Sequence, residues 1–221
     1  MKRVAYALGA PIVLVLAGIL AYGIEGYFRA RSDARELGPR ADKLIAKHRG
    51  PKDLGAGRID QLLMVDDPGF WAHSGADWTT PGSGLTTLTQ SLGKHVGFVH
   101  FRPGLQKIRL VGYAMGLESE LTKQQILALY LDTVWMGRGP SGPMVGMFNA
   151  SEKVFGKPPS ELNQHQFLTL VAVPISPRTL TLASPNSDLI ERTNRIERLV
   201  GGKCRPVGLR DVWLKGCAKP Q

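Results

Sequence analysis

The chain is poor in cysteine: two among 221 residues, Cys204 and Cys217, both close to the C-terminus. No CxxC pair and no His/Cys cluster at ligand spacing exists, which argues against a zinc site and leaves no metal-ligand set to name. In an oxidising compartment the two can close a small disulfide loop, and the alternative is two unpaired thiols. Acidic residues are outnumbered, 18 Asp and Glu against 28 Lys and Arg, for a net charge of +10. That balance favours an anionic partner: nucleic acid, an anionic membrane surface or a phosphate-bearing ligand. Strand-like alternation, hairpin signals and internal repeats are also missing, which leaves a mostly α domain. Disorder is excluded by a hydrophobic content of 43% against 21% charged residues.

Charge is absent altogether from Val4–Ile24. At ~1.5 Å per residue this run reaches roughly 30 Å, the thickness of a bilayer's hydrocarbon core. Lys2 and Arg3 precede it, so the N-terminus is expected in the cytoplasm and the rest outside. A cleaved signal peptide is the competing reading, but Ala21-Tyr22-Gly23 is a poor small-x-small site and the run is long for such a peptide. Export makes nucleic acid improbable as a partner; lipid head groups and lipid-linked phosphates are the anions available there.

The densest chemistry lies in Val65–Asp77. It holds the adjacent carboxylates Asp66 and Asp67, the aromatic pair Phe70 and Trp71, His73 and Asp77, and Pro68, Gly69 and Gly75 break it. A plain surface turn with a capping aspartate is the bland reading. Downstream, Leu85–Val96 reads as a helix whose hydroxyls (Thr86, Thr87, Thr89) and amide (Gln90) share a face with Lys94, a set suited to an oxygen-rich ligand. Helices follow over Leu105–Leu121, over Lys123–Trp135 behind a capping box at Thr122, over Met147–Phe155, from Asn163 to Val173, and over Ser187–Leu199. Gly137–Gly146 reads as a loop. The expected organisation is an anchor over 1–24, a juxtamembrane stalk over 25–58 with helical character at Arg40–His48, a domain over 59–200, and a tail over 201–221 holding the cysteines.

In order and spacing these motifs resemble the peptidoglycan glycosyltransferases of family 51, most closely the monofunctional, membrane-anchored biosynthetic transglycosylases. The resemblance runs from about Ile59 to Leu199. Asp67, Phe70, His73, Gly75 and Asp77 match the first motif, Glu-Asp-x-x-Phe-x-x-His-x-Gly-x-Asp, with Asp66 in place of its glutamate. Thr87, Thr89, Gln90 and Lys94 match the second, Lys107 the third, and Lys123, Ile126, Leu127, Tyr130 and Leu131 the fourth. Gly146, Ala150, the prolines Pro174 and Pro177, and Arg192 follow in order.

The resemblance implies a mostly helical, lysozyme-like domain behind a single transmembrane helix. It implies engagement of lipid II, a disaccharide-peptide on an undecaprenyl pyrophosphate, or of a glycan strand, alongside membrane lipids and cell-wall synthases. Asp66 falls on the general base. Asp67, Phe70, His73, Thr87, Thr89, Gln90, Lys94, Lys107 and Arg192 fall on substrate-binding positions. In such enzymes a divalent metal (Mg or Mn) often accompanies the pyrophosphate. The departures point to weakened chemistry. Aspartate is one methylene shorter than glutamate, and misplacement of about 1 Å can cost roughly 100-fold. Gln106 replaces the third motif's arginine, Leu110 replaces its glutamate, and the interval Asp77–Thr87 is shorter than in the family. The primary expectation is a family member that binds lipid II or glycan with catalysis weak or lost. The alternatives are an active polymerase with Asp66 as base and a lysozyme-like hydrolase.

Overall fold

The computed structural model describes residues 2–139 and 142–219, with side chains from Pro11 onward. The side chains of 4–10 in the expected membrane span, residues 140–141 of the expected loop, and residues 220–221 of the tail lie outside the described residues. Among the described residues the regular elements are eight α-helices, three short 3-10 turns and one two-stranded sheet.

The first helix, α1, runs from Lys2 to Ala46 without a break. One continuous helix therefore runs through the expected anchor and most of the expected stalk. From Pro11 on, α1 holds an apolar window of 18 residues, long and apolar enough to cross a membrane, and Pro11–Leu20 within it is exposed throughout. Further on, Ala30, Ala34, Leu37 and Ala41 recur at helical spacing and are buried. They face α4 (Gln106–Glu120) and α5 (Lys123–Thr133). The α1–α4 crossing is built on glycine: a Cβ on Gly112 would overlap the Gly23 carbonyl, and one on Gly116 the Tyr27 carbonyl. Arginines pair across the contact. Arg40 bonds Asp132 at 2.6 Å, Arg109 bonds Glu25 at 2.8 Å, and Arg31 pairs with Glu120. Exposed pairs of this kind contribute at most about 1 kcal/mol each, so the buried alanine face carries most of the attachment.

A nine-residue helix, α2 (Arg58–Asp66), ends at the first of the paired carboxylates, and α3 (Leu88–Val96) begins after the short loop that follows. The expected helix start at Leu85 moves to Leu88 because Thr87 is the N-cap, its hydroxyl accepting from the Gln90 amide. The capping boxes at Thr122 and Asn163 form as expected, opening α5 and α7 (Gln164–Ala172). Between α5 and α6 (Met147–Phe155) the chain departs from expectation. In place of a loop stands a hairpin, β1 (Trp135–Gly139) against β2 (Gly142–Val145), with an irregularity between Trp135 and Arg138. Its glycines conceal it in the sequence. Gly137, at φ 79°, sits in that bulge and lies against the Pro177 carbonyl, where a side chain has no room. Buried Met136 and Met144 fasten the hairpin to the core.

The last helix, α8 (Ser187–Val200), leads into an irregular tail. Cys204 and Cys217 are bonded, with Cα atoms 5.2 Å apart. Within this loop the buried Asp211 carboxylate accepts from the amides of Val207, Lys215 and Gly216 at 3.1, 2.6 and 3.0 Å. Those bonds hold its carboxyl below the ordinary range against the opposing effect of burial. Thus a stretch with no regular secondary structure beyond one short turn is folded onto a single anion.

Candidate functional site

Asp66, at the C-terminal end of α2, is half-buried and lines a cavity of about 350 Å³. Loop residues Ser83–Thr87, Ser91 and Lys94 of α3, and Tyr130, Pro174 and Arg192 line it too. The Tyr130 hydroxyl donates to Asp66 Oδ2 at 3.0 Å. Burial raises the Asp66 carboxyl to about 6; the Arg192 charge and the tyrosine bond pull down against this, and neighbouring Asp67 pushes further up. Tyr130 itself is held well above its ordinary value, first by burial and then by Asp66, so it stays a donor. In the sequence Tyr130 enters as a match to the fourth motif, and its hydroxyl in an otherwise apolar run is the signal of its polar contact.

Two cations line the same cavity. Lys94 is half-buried, lies 5.5 Å from the Phe101 ring centre, and forms no ion pair among the described residues. Burial lowers its ammonium below the ordinary lysine value. Arg192 is buried on α8 and donates to the Ala172 carbonyl at 3.1 Å and the Val212 carbonyl at 2.9 Å. Burial lowers it to about 10, so it remains a cation at neutral pH. An anionic ligand fits here: a desolvated lysine without a counter-ion is an open electrostatic partner.

Most other residues proposed for substrate contact stand behind the cavity wall. Asp67 is fully buried and takes three bonds, two from His73 Nε2 at 3.0 Å and one from the Leu88 amide at 2.7 Å. It pins the start of α3 to the end of α2. Phe70 is fully buried under the Lys123 ammonium, 4.2 Å from its ring centre. Thr89 donates to Glu118 at 2.6 Å, and Glu118 also pairs with Lys123 at 2.8 Å. Gln90 and Thr87 both donate to the Gly75 carbonyl, at 3.0 and 2.9 Å. Lys107 donates to Thr86 and to Gln90 at 2.8 and 2.6 Å. The row of hydroxyls expected to face a ligand is therefore largely spent inside the protein, joining α3 to α4 and to the 65–77 loop. Of the ten positions carried over, Asp66, Thr87, Lys94 and Arg192 reach the cavity; Asp67, Phe70, His73, Thr89, Gln90 and Lys107 do not line it.

Position 110 joins the core. Leu110 has no exposed surface and packs against the α3 backbone near Gly93. Gln106, where the family has arginine, accepts from the Arg102 amide at 2.7 Å and so fastens its own turn. Glu118 is occupied as described and does not line the cavity. A resident divalent cation does not fit this donor set. Asp66 is the one carboxylate among the lining residues, two cations oppose it, and the described residues contain no group of three metal-ligating side chains.

A family model described as "Transglycosylase" matches residues 80–200, which leaves Asp66 just outside the matched span. Penicillin-binding protein 1B of Buchnera aphidicola is 32% identical over 150 residues, 61% of this chain and 19% of that protein. Penicillin-binding protein 4 of Bacillus subtilis is 28% identical over 171 residues, 72% of this chain and 26% of that one. The biosynthetic peptidoglycan transglycosylase of a Marinomonas species is 31% identical over 149 residues, 62% of this chain and 64% of the relative. The chain thus aligns with about a fifth to a quarter of the length of these penicillin-binding proteins.

Proposed function

The chain belongs to the transglycosylase family, and from that membership we propose that it is a membrane-anchored cell-wall assembly protein that binds lipid II or nascent glycan, with transfer chemistry weak or lost. α1 is the anchor, its N-terminus cytoplasmic and the domain on the outer face of the membrane. Beyond lipid II, its partners are membrane lipids and cell-wall synthases.

One observation carries this reading: the cavity combines two cations with a single carboxylate, because position 110 is part of the core. Lys94 and Arg192 suit a pyrophosphate. With no second carboxylate and no resident metal, the site has few groups to manage the charge that develops as the pyrophosphate departs, and stabilising such charge is usually the largest catalytic contribution. A specific observation favours the second reading, a working polymerase. Asp66 near 6 lies where a general base operates well, ionised at neutral pH yet basic enough to draw a proton from a sugar hydroxyl. In that case Tyr130 orients the carboxylate, and Arg192 stabilises its ionised form.

The binding claim is tested with lipid II and the full-length protein in detergent. Lys94→Ala removes the unpaired cation and is expected to weaken binding about tenfold, the scale of one charge-assisted contact. Unchanged affinity would place the pyrophosphate elsewhere.

A further inference from the structure

Arg192 does not hold its position through α8 alone. One of its two carbonyl acceptors, Val212, belongs to the C-terminal tail, and the Trp213 ring lies 5.4 Å from its guanidinium carbon. The tail is also tied to the opposite rim of the cavity. The amides of Gly82 and Gly84 donate to the carbonyls of Gly208 and Leu209 at 3.0 and 2.8 Å. Val212 itself lines the cavity. The buried Asp211 gathers the tail's own amides, and the Cys204–Cys217 bond closes it.

We propose that residues 203–219 are a positioning element of the site: closed by the disulfide and organised by Asp211, they set Arg192 against Asp66 and fix the 82–84 rim. Trp213 and Asp211 are positioning residues, acting through Arg192 rather than touching ligand. The ionisable groups that act on Asp66 are Arg192 from α8, Tyr130 from α5 and Asp67 beside it, and Lys94 of α3 lines the same cavity. Of these, among the described residues, Arg192 is the one bonded to the tail, through Val212, with Trp213 against its guanidinium. A change in the tail can therefore be read at Asp66. The link to lipid II rests on the function proposed above, whereas the positioning itself does not.

The experiment is a carbon-13 carboxylate titration of Asp66 in the full-length protein in detergent, assigned with Asp66→Asn. Trp213→Leu, at an exposed side chain, and Asp211→Asn are each expected to raise the Asp66 midpoint by about 0.5 pH unit or more, a roughly threefold gain in proton affinity. Trp213→Phe keeps an aromatic face over the guanidinium and is expected to retain the wild-type midpoint. A folded Trp213→Leu protein with an unmoved midpoint overturns the proposal, and this variant decides alone if Asp211→Asn does not fold. Lipid II binding is measured on the same samples. A moved midpoint in a protein that binds no lipid II refutes the proposed function and leaves the positioning role standing. An unmoved midpoint with intact binding does the reverse.

Discussion

Replacing Asp66 by Asn is expected to stabilise the protein at neutral pH and to do little at pH 4. The carboxyl's ordinary value is 3.8 and the folded value about 6. Between those values the folded state holds a proton that the unfolded state has released. Stability contributed by this residue is therefore full below pH 4 and falls as pH rises through 6. At about 1.36 kcal/mol per unit, the interval corresponds to ~3 kcal/mol at pH 7 to 8. One side of the carboxyl opens on the cavity, where water screens part of the cost, so about 1–2 kcal/mol is the expected gain. Asparagine keeps an oxygen for the Tyr130 hydroxyl, which separates the charge effect from the loss of a hydrogen bond. Denaturant midpoints of both proteins across pH 4 to 8 give the test. A constant difference between the two curves, or an Asn variant less stable at every pH, would refute the argument that burial dominates at this site.

Two other substitutions follow from the packing. Leu110→Glu, which restores the family's residue, puts a carboxyl where no surface is exposed and is expected to cost about 3 kcal/mol or more without gaining activity; a rise in polymerisation with unchanged unfolding midpoint would show that the position can turn to the cavity. Changing Cys204 and Cys217 together to serine opens a loop of sequence separation 13, a loss of ~3 kcal/mol on the chain-entropy estimate, read as a lower thermal midpoint that reductant produces in the wild type but not in the variant.

Helical periodicity and capping residues made most of the domain legible in advance. Thr122 and Asn163 announce their helices because a cap's chemistry is local. The hairpin at Trp135–Val145 was hidden because its strands are half glycine and proline, and only the burial of Met136 and Met144 makes them pair. The continuity of α1 was hidden for a related reason. Its second half is charged on the outside, and its buried stripe of alanines is recognisable only once the glycines of α4 are seen to admit them. Of the positions named by resemblance, Asp66, Thr87, Lys94 and Arg192 line the cavity, but resemblance could not tell cavity-lining groups from those that hold the wall. Thr89 and Gln90 look like a binding face along one helix, yet their partners are Glu118 and Gly75, brought in from elsewhere in the chain, and Lys107 of α4 is likewise bonded to Thr86. The tail's part in the cavity has no local signature at all, since it depends on where Gly82, Gly84 and Arg192 come to rest.

The central claim is that the site binds a lipid-linked pyrophosphate but is poorly equipped to expel it. Incubating the purified full-length protein with lipid II, and following glycan chain length beside bound lipid II, tests this most directly. Saturable binding with little or no chain growth is the predicted result. Robust chain growth abolished by Asp66→Ala would contradict it and establish Asp66 as a working base.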